Sequence, residues 1–444
     1  MNRNLNNGLD SCKEKLEVKN YCSMDIAKIN TQQGILARNF SVGELSSVGK
    51  TNLHIRAYVD HYGGYAEHAR NILFGLENTG RFNIRVTPIK SIIDVDPITL
   101  QKINHFICNP AFKNENSIFL GIAGPGWFQE KFLPKEAKYK IAWTMIESVS
   151  CHEKMKEWLK NVDEIWAPTN CDLERFNCLG LKNVKVIRLG FDEKLYNPNV
   201  EPVKIVQLKG KFVFGVLGSW NRRKNVGKIV RAYCKAFKGM DNVCLLLVSK
   251  YSMRPYGGIK YGEEVKKEDL SKWDMRYEFD LFTKDLVNLP SVCVIDVPIH
   301  ENVMPNILAN FNCLVGFSMG ESTWLPGLQA AAMKIPIIQL AAPSNGFLDY
   351  LNKDNSYLIE NYFLVDADDE LVKGTSSYYE NQKFFDGDEN DLANTMFQVY
   401  LQRKEGFEKD IEQLCEYVLR CYTWDNSVLS VSNRLREING NKNI

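Results

Sequence analysis

The chain has 444 residues, 45% of them hydrophobic and 25% charged, with a formal net charge of +1. That length accommodates two or three domains, and the near-neutral charge argues against bulk attraction to nucleic acid or to a membrane surface. No run reaches the roughly 18 apolar residues of a membrane span, and the polar start "MNRNLNNGLDSCKEKLEVKN" lacks the apolar stretch of a secretory signal.

Twelve cysteines are scattered with no C-x-x-C pair, so neither a disulfide framework nor a zinc site has a spacing to stand on. Thiols of a cytoplasmic protein are the expectation. Residues 1–50 lack steady periodicity and are expected to be an N-terminal extension, with a short helix near Met24 to Lys28. From Leu53 onward, short apolar runs alternate with amphipathic stretches, the pattern of βαβ units around a parallel sheet.

Strands are expected at Leu53–Val59, Ile84–Pro88, His105–Cys108, Ile118–Ile122, Lys140–Thr144, Glu164–Ala167 and Val184–Arg188. Between the first two, Ala66, Ala69, Ile72, Leu73 and Leu76 recur at helical spacing. The stretch "LYNPNVEPVKIVQLKG" breaks the alternation and reads as an interdomain link around residues 195–210. A second set follows: a strand at Phe212–Leu217, a helix from Val226 to Phe237, and strands at Cys244–Val248, Val292–Val297 and Cys313–Phe317. A helix over Gly327 to Met333, a strand at Ile337–Leu340 and a mostly helical tail from Asp391 to Arg434 complete it. The domains are expected at 51–199 and 200–425, with a last helix at 426–444 that crosses back to the first. Two doubly wound α/β domains of this kind place a ligand in the cleft at the carboxyl ends of their strands.

Four stretches fall at such ends. In "YVDHYGGYAEHA", Gly63 and Gly64 follow a strand and open a helix, where backbone amides favour an anion. In "GVLGSWNRRKN", Arg222, Arg223 and Lys224 stand after a strand and suit a diphosphate. In "MGESTWLPGLQ", Pro326 fits a first helical turn, Ser322 and Thr323 are candidate caps, and Glu321 sits at the anion-favouring end. In "IAWTMIESVS", Glu147 is a cleft acid or a loop residue. A tight turn, a solvated basic loop and a capping residue are the plain alternatives for the first three. "DGDENDLA" has Asp391 where a calcium loop needs glycine, so it reads as an acidic loop before a helix.

Together and in order, these motifs resemble the retaining glycosyltransferases of family 4, which have the GT-B fold. "VDEIWAPTNCDLERFNCLGLKNVKVIRLGFDEKLYNP" is similar to that family's last segment of the first domain. "FGVLGSWNRRKN" is similar to its donor-diphosphate loop, "GESTWLPGLQAAAMKIPII" to its E-x7-E segment, and "RCYTWDNS" to the tryptophan motif before its terminal helix. The resemblance implies a UDP- or GDP-sugar donor held mainly by the second domain. Arg223 and Lys224 would hold the diphosphate and Glu321 the sugar hydroxyls. Amides around Ser322, Thr323 and Leu325 would face phosphate or sugar, and Gly63 and Gly64 would approach the donor across the cleft.

Gln329 falls where the family's second acid grips the ribose. Ser322 and Trp324 stand in place of glycines, and Ser219 in place of an arginine. Glu147 and His61 are acceptor-side candidates. The implied chemistry needs no metal and no cofactor, retains configuration by front-side attack and uses no protein nucleophile. The acceptor would be a hydroxyl of a glycan, a lipid-linked glycan or a protein. A catalytically weak GT-B homologue serving as a binding or assembly subunit, and a nucleotide-sugar epimerase, are the rival readings.

Overall fold

The computed structural model describes residues 21–23, 50–89, 95–249, 259–260, 263–264, 275–297, 299–374, 377–402, 405–407 and 409–440. The helix expected at Met24 to Lys28 lies outside them. In chain order the strands are β1 (Tyr21–Ser23), β2 (Thr51–Ala57), β3 (Phe82–Pro88), β4 (Ile118–Ile122), β5 (Tyr139–Trp143), β6 (Glu164–Ala167), β7 (Val184–Val186), β8 (Phe212–Leu217) and β9 (Val243–Val248). They continue with the short pair β10 (Ile259–Lys260) and β11 (Glu263–Glu264), then β12 (Ser291–Ile295), β13 (Cys313–Val315), β14 (Ile337–Leu340), β15 (Tyr357–Ile359), β16 (Tyr362–Asp366) and β17 (Lys383–Gly387).

The helices are α1 (Gly64–Asn78), α2 (Pro97–Ile107), α3 (Glu153–Leu159), α4 (Asn170–Cys178), α5 (Val226–Ala236) and α6 (Met275–Thr283). After them come α7 (Met304–Leu308), α8 (Leu325–Ala332), α9 (Asp369–Gly374), α10 (Glu389–Gln402), α11 (Ile411–Cys421) and α12 (Trp424–Gly440).

The first sheet has the order β3-β2-β4-β5-β6-β7 and the second β1-β12-β9-β8-β13-β14-β15. Every pairing within both sheets is parallel. Two such sheets with interleaved helices are the doubly wound α/β domains expected from the alternating pattern, and the GT-B architecture that the resemblance implies. Strands β4, β9 and β12 are buried along their whole length, because helices cover both faces of a parallel sheet. In each sheet the strand order reverses beside the first strand, between β2 and β4 in one and between β8 and β13 in the other. A crevice opens at the carboxyl ends of the strands at such a reversal.

Two sequence expectations change. The run at His105–Cys108 is the end of α2, not a strand: Asp96 caps Ile98 and Thr99, Pro97 takes the first turn, and only Ile103 and Phe106 are buried. Its four apolar-rich residues lacked the upstream cap needed to tell helix from strand. Within the stretch expected to be an extension, Tyr21–Ser23 adds an edge strand to the second sheet by pairing with β12.

The last helix reaches the first domain. Ser427 donates to the Arg188 carbonyl at 2.7 Å, and Arg434 pairs with buried Glu164 at 2.6 Å. One apolar cluster runs from Leu53 and Ile55 through Trp424 and Val428 of α12 to Leu328 and Ala331 of α8. Among the described residues, no helix is long and apolar enough to cross a membrane.

Candidate functional site

The loops after β8 and β13 flank the reversal in the second sheet, so the fold brings Arg223 and Lys224 to Glu321. Glu321 lies 3.3 Å from Arg223 and closer still to Lys224. The two loops are also stitched by their backbones. The Met319 amide donates to the Arg223 carbonyl at 2.8 Å, and the Arg223 guanidinium donates to the Gly320 carbonyl at 2.5 Å.

Arg222 turns the other way, onto Asp368 at 2.9 Å and Asp386 at 3.5 Å. Asp386 also holds Lys228 and Asn225, so the acidic stretch that invited a metal reading braces the basic loop instead. Among the described residues, no cluster of His, Cys, Asp and Glu is arranged to hold a metal ion.

Electrostatics sets the state of this trio. Burial pushes the Glu321 carboxyl up, but Lys224 and Arg223 outweigh it and hold the carboxyl below its ordinary value. Burial pulls the Lys224 ammonium below its ordinary range, against the pull of Glu321. Arg223 also feels burial, yet Glu321 and Glu147 together hold it charged. Among the described residues, its buried Nε finds no hydrogen-bond partner.

Glu147 comes from the loop after β5 in the first domain. It lies 3.7 Å from Arg223 and accepts from the Tyr379 hydroxyl at 2.6 Å. The backbones of the two domains touch here, since a Cβ on Gly320 would meet the Glu147 carbonyl at 1.7 Å. Two cations and two carboxylates therefore meet at the interdomain boundary, with Tyr379 beside them.

The turn into α8 differs from the sequence expectation. Neither Ser322 nor Thr323 caps the helix; its N-cap is Trp324, in the left-handed region at φ 55°. That conformation is costly for a bulky residue, and it is held by packing: the indole fills the space over Gly316 and Gly327 and contacts Phe347. The Ser322 hydroxyl donates instead across the domain boundary to Asp172 at 2.5 Å. Asp172 is fully buried on α4, where it forms a capping pair with Thr169. Arg175 of α4 reaches the Ser344 carbonyl in the second domain. The Thr323 hydroxyl is buried beside the first turn of α8 and finds no partner among the described residues.

Leu325 opens α8 and faces the other domain: a Cβ on Gly64 would lie 3.8 Å from its Cδ1. The N-termini of α1 and α8 therefore approach each other across the cleft, two positive dipole ends aimed at one region. Gly63 has an extended backbone (φ 166°) and Gly64 is the first residue of α1, so neither needs to be glycine for its conformation. What they provide is open space beside the cleft.

Gln329 lies one turn into α8 and donates to Glu67 of α1 at 3.1 Å. Burial and the nearby charge of Glu301 raise the Glu67 carboxyl to about 8 despite Arg70 and Gln329. Arg70, itself buried, bridges to Glu301 in the second domain, and Asp96 meets His300 there at 3.1 Å. His61 neighbours Asp60 at 3.7 Å and meets the Tyr58 ring edge-on.

Residue types and spacing did not reveal Glu67, Asp172, Gly320 or Tyr379. Asp172 carried a signal in its T-x-x-D capping box, and Glu67 stands three residues after the glycine turn. Tyr379 carried none, because only the chain path through β16 and β17 brings it to Glu147.

No family model matches the sequence, and no curated protein matches it. Its fold is similar to that of solved structures. A sucrose-phosphate synthase from Thermosynechococcus elongatus superposes with a TM-score of 0.58 at 13% identity, covering 88% of this chain and 100% of that one. A glycosyltransferase from Rickettsia africae gives 0.59 at 12%, over 89% and 100%. A lipopolysaccharide outer core galactosyltransferase gives 0.53 at 12%, over 87% and 99%.

Proposed function

We infer that this protein is a glycosyltransferase moving a sugar from a nucleoside-diphosphate sugar to an acceptor hydroxyl. The observation that carries the reading is the Arg223–Lys224–Glu321 cluster at the reversal of the second sheet, closed from the first domain by Glu147. Lys224 and Arg223 neutralise the diphosphate, aided by the amides from Ser322 to Leu325 and by the facing end of α1 at Gly63 and Gly64. Glu321 then accepts hydrogen bonds from the donor sugar. These fixed charges supply what a divalent ion supplies elsewhere, so the reaction runs without a metal or cofactor.

The transfer retains configuration. The acceptor oxygen bonds to the anomeric carbon on the face from which the phosphate departs, and the hydroxyl proton passes to the leaving phosphate oxygen. No protein nucleophile takes part. Glu147 and His61 stand on the acceptor side. Gln329 and Glu67 together offer an amide donor and a carboxyl to ribose hydroxyls.

A panel of UDP- and GDP-sugars, scored for turnover by the purified chain, tests this. Lys224→Ala and Glu321→Ala should each lower kcat/KM by about 100- to 1000-fold, the scale for removing one group that stabilises developing charge. Gln329, held by Glu67 in the place of the second acid, favours a second reading, that of a binding or assembly subunit. Tight nucleotide binding without turnover would support that reading. A product identified as an epimerised nucleotide sugar would point to the epimerase. Absence of any nucleotide binding would remove all three.

A further inference from the structure

We propose that Tyr58, Tyr65, Trp127 and Tyr378 form a wall that binds the acceptor as a neutral saccharide. This rests on the transferase reading and names the substrate class of its other half-site.

Position is the first reason. Tyr58 follows β2 and Trp127 follows β4, the two strands between which the order of the first sheet reverses. The crevice at such a reversal is where an open α/β sheet takes its ligand. The donor cluster occupies the corresponding crevice of the second sheet, which leaves this one to the acceptor.

Construction is the second. The Trp127 indole donates to the Tyr58 hydroxyl at 3.0 Å, tying the two loops together over the reversal. The Tyr58 ring lies 6.2 Å from that of Tyr65, tilted by 56°. A Cβ on Gly124 would meet the Tyr378 hydroxyl at 3.8 Å, so Tyr378 reaches the first domain from the second. Tyr378 packs edge-on against Tyr379 at 4.8 Å, and Tyr379 holds Glu147. Tyr378 and Tyr379 therefore join the charged cluster to the first domain at Gly124, three residues before Trp127.

Chemistry is the third. All four wall residues are half-buried. A tyrosine phenol is already protonated at neutral pH, and burial pushes those of Tyr58 and Tyr65 further up, so both remain hydrogen-bond donors. A pyranose presents a face of C–H bonds to a ring and hydroxyls around its rim, which matches rigid aromatic faces with polar tips. The four side chains carry no cation for a lipid phosphate, and they are not the aliphatic groove that an acyl chain would need.

The test uses the full chain on a glycan microarray, followed by calorimetry with glucose and N-acetylglucosamine tetrasaccharides or with the best array ligand. Wild type should bind a neutral oligosaccharide. Trp127→Ala should weaken it about tenfold or more, the loss of one stacked ring. Tyr58→Phe, which keeps the ring and removes one hydroxyl, should weaken it by a few-fold and decides the matter if Trp127→Ala does not fold. Phe363→Ala, an exposed ring on the β16–β17 hairpin, should leave affinity within twofold.

The proposal is overturned if no glycan binds, or if folded wall variants bind as wild type does. Preferential binding to vesicles containing a lipid phosphate, or to unglycosylated peptide, overturns it as well. Donor turnover is scored separately. Glycan held by the wall without donor turnover would defeat the transferase reading and leave the saccharide site standing. Donor turnover with glycan affinity indifferent to Trp127→Ala and Tyr58→Phe would do the reverse.

Discussion

Gly320→Ala tests whether closure of the two domains assembles the site. The added Cβ would lie 1.7 Å from the Glu147 carbonyl oxygen. Carbon and oxygen approach no closer than about 3.3 Å without cost, so the loops must part by about 1.6 Å. The backbone at Gly320 lies outside the left-handed region, so the contact alone carries the effect.

Neither side yields cheaply. The Gly320 carbonyl accepts from Arg223 at 2.5 Å, while Glu147 is held by Tyr379 at 2.6 Å and faces Arg223 at 3.7 Å. Misplacing reacting groups by about 1 Å costs roughly 100-fold, or about 2.7 kcal/mol of barrier. The expected outcome is a kcat about 100-fold lower with nucleotide affinity changed less than threefold, because the second domain keeps its own contacts. Steady-state kinetics and nucleotide titration measure both, and small-angle scattering should show the domains further apart. A variant with wild-type kcat and scattering would refute the reasoning.

Three further outcomes are expected. His68 is fully buried between Trp143 and Trp424, and burial lowers its pKa to about 3. A depressed pKa makes its stability contribution complete above 6.5 and lost as pH falls toward 3, on the order of 4 kcal/mol in all. His68→Phe should flatten the fall of Tm between pH 7 and pH 4; an unchanged slope would contradict this. For Glu67 the sign is opposite. Its raised pKa of about 8 makes stability greatest below about 4.5 and lost as pH rises through 8. Glu67→Gln should therefore gain about 1–2 kcal/mol at pH 8 in denaturant titrations, discounted because the side chain is only partly buried, and gain nothing at pH 4. Finally, a Cβ on Gly75 would meet Val428 of α12 at 2.3 Å. Gly75→Ala should destabilise the chain by about 1–3 kcal/mol, and Val428→Ala in the same chain should restore most of it; two additive losses would exclude this contact.

Much of the fold was legible from Leu53 onward. β4, β6, β8 and β14 lie where short apolar runs predicted them, because a strand covered on both faces admits almost nothing polar. Helix α1 buries Ala66, Ala69, Ile72, Leu73 and Leu76, the residues at helical spacing. The His105–Cys108 run failed for the opposite reason: four residues are too few to carry a period, and the cap at Asp96 lay nine positions upstream of His105. The edge strand Tyr21–Ser23 had no local signal, since its pairing with β12 is decided about 270 residues away.

The sequence by itself determined the alternation of strands and helices, and hence the two parallel sheets and the end of each at which ligands gather. It also placed Arg223, Lys224 and Glu321 at such ends, since a loop that follows a parallel strand lies at that end in every fold of this class. Only the tertiary structure decided which groups meet. Arg222 went to Asp368 and Asp386 while its neighbours went to Glu321. Ser322 went to Asp172, Gln329 to Glu67, and Glu147 to Arg223 and Tyr379. The reason is range. Periodicity and capping act over a few residues, whereas these partners lie roughly 75 to 260 positions apart: the Arg222 and Lys224 pairs meet only when the second sheet assembles, and the Ser322, Gln329 and Glu147 pairs only when the two sheets face each other.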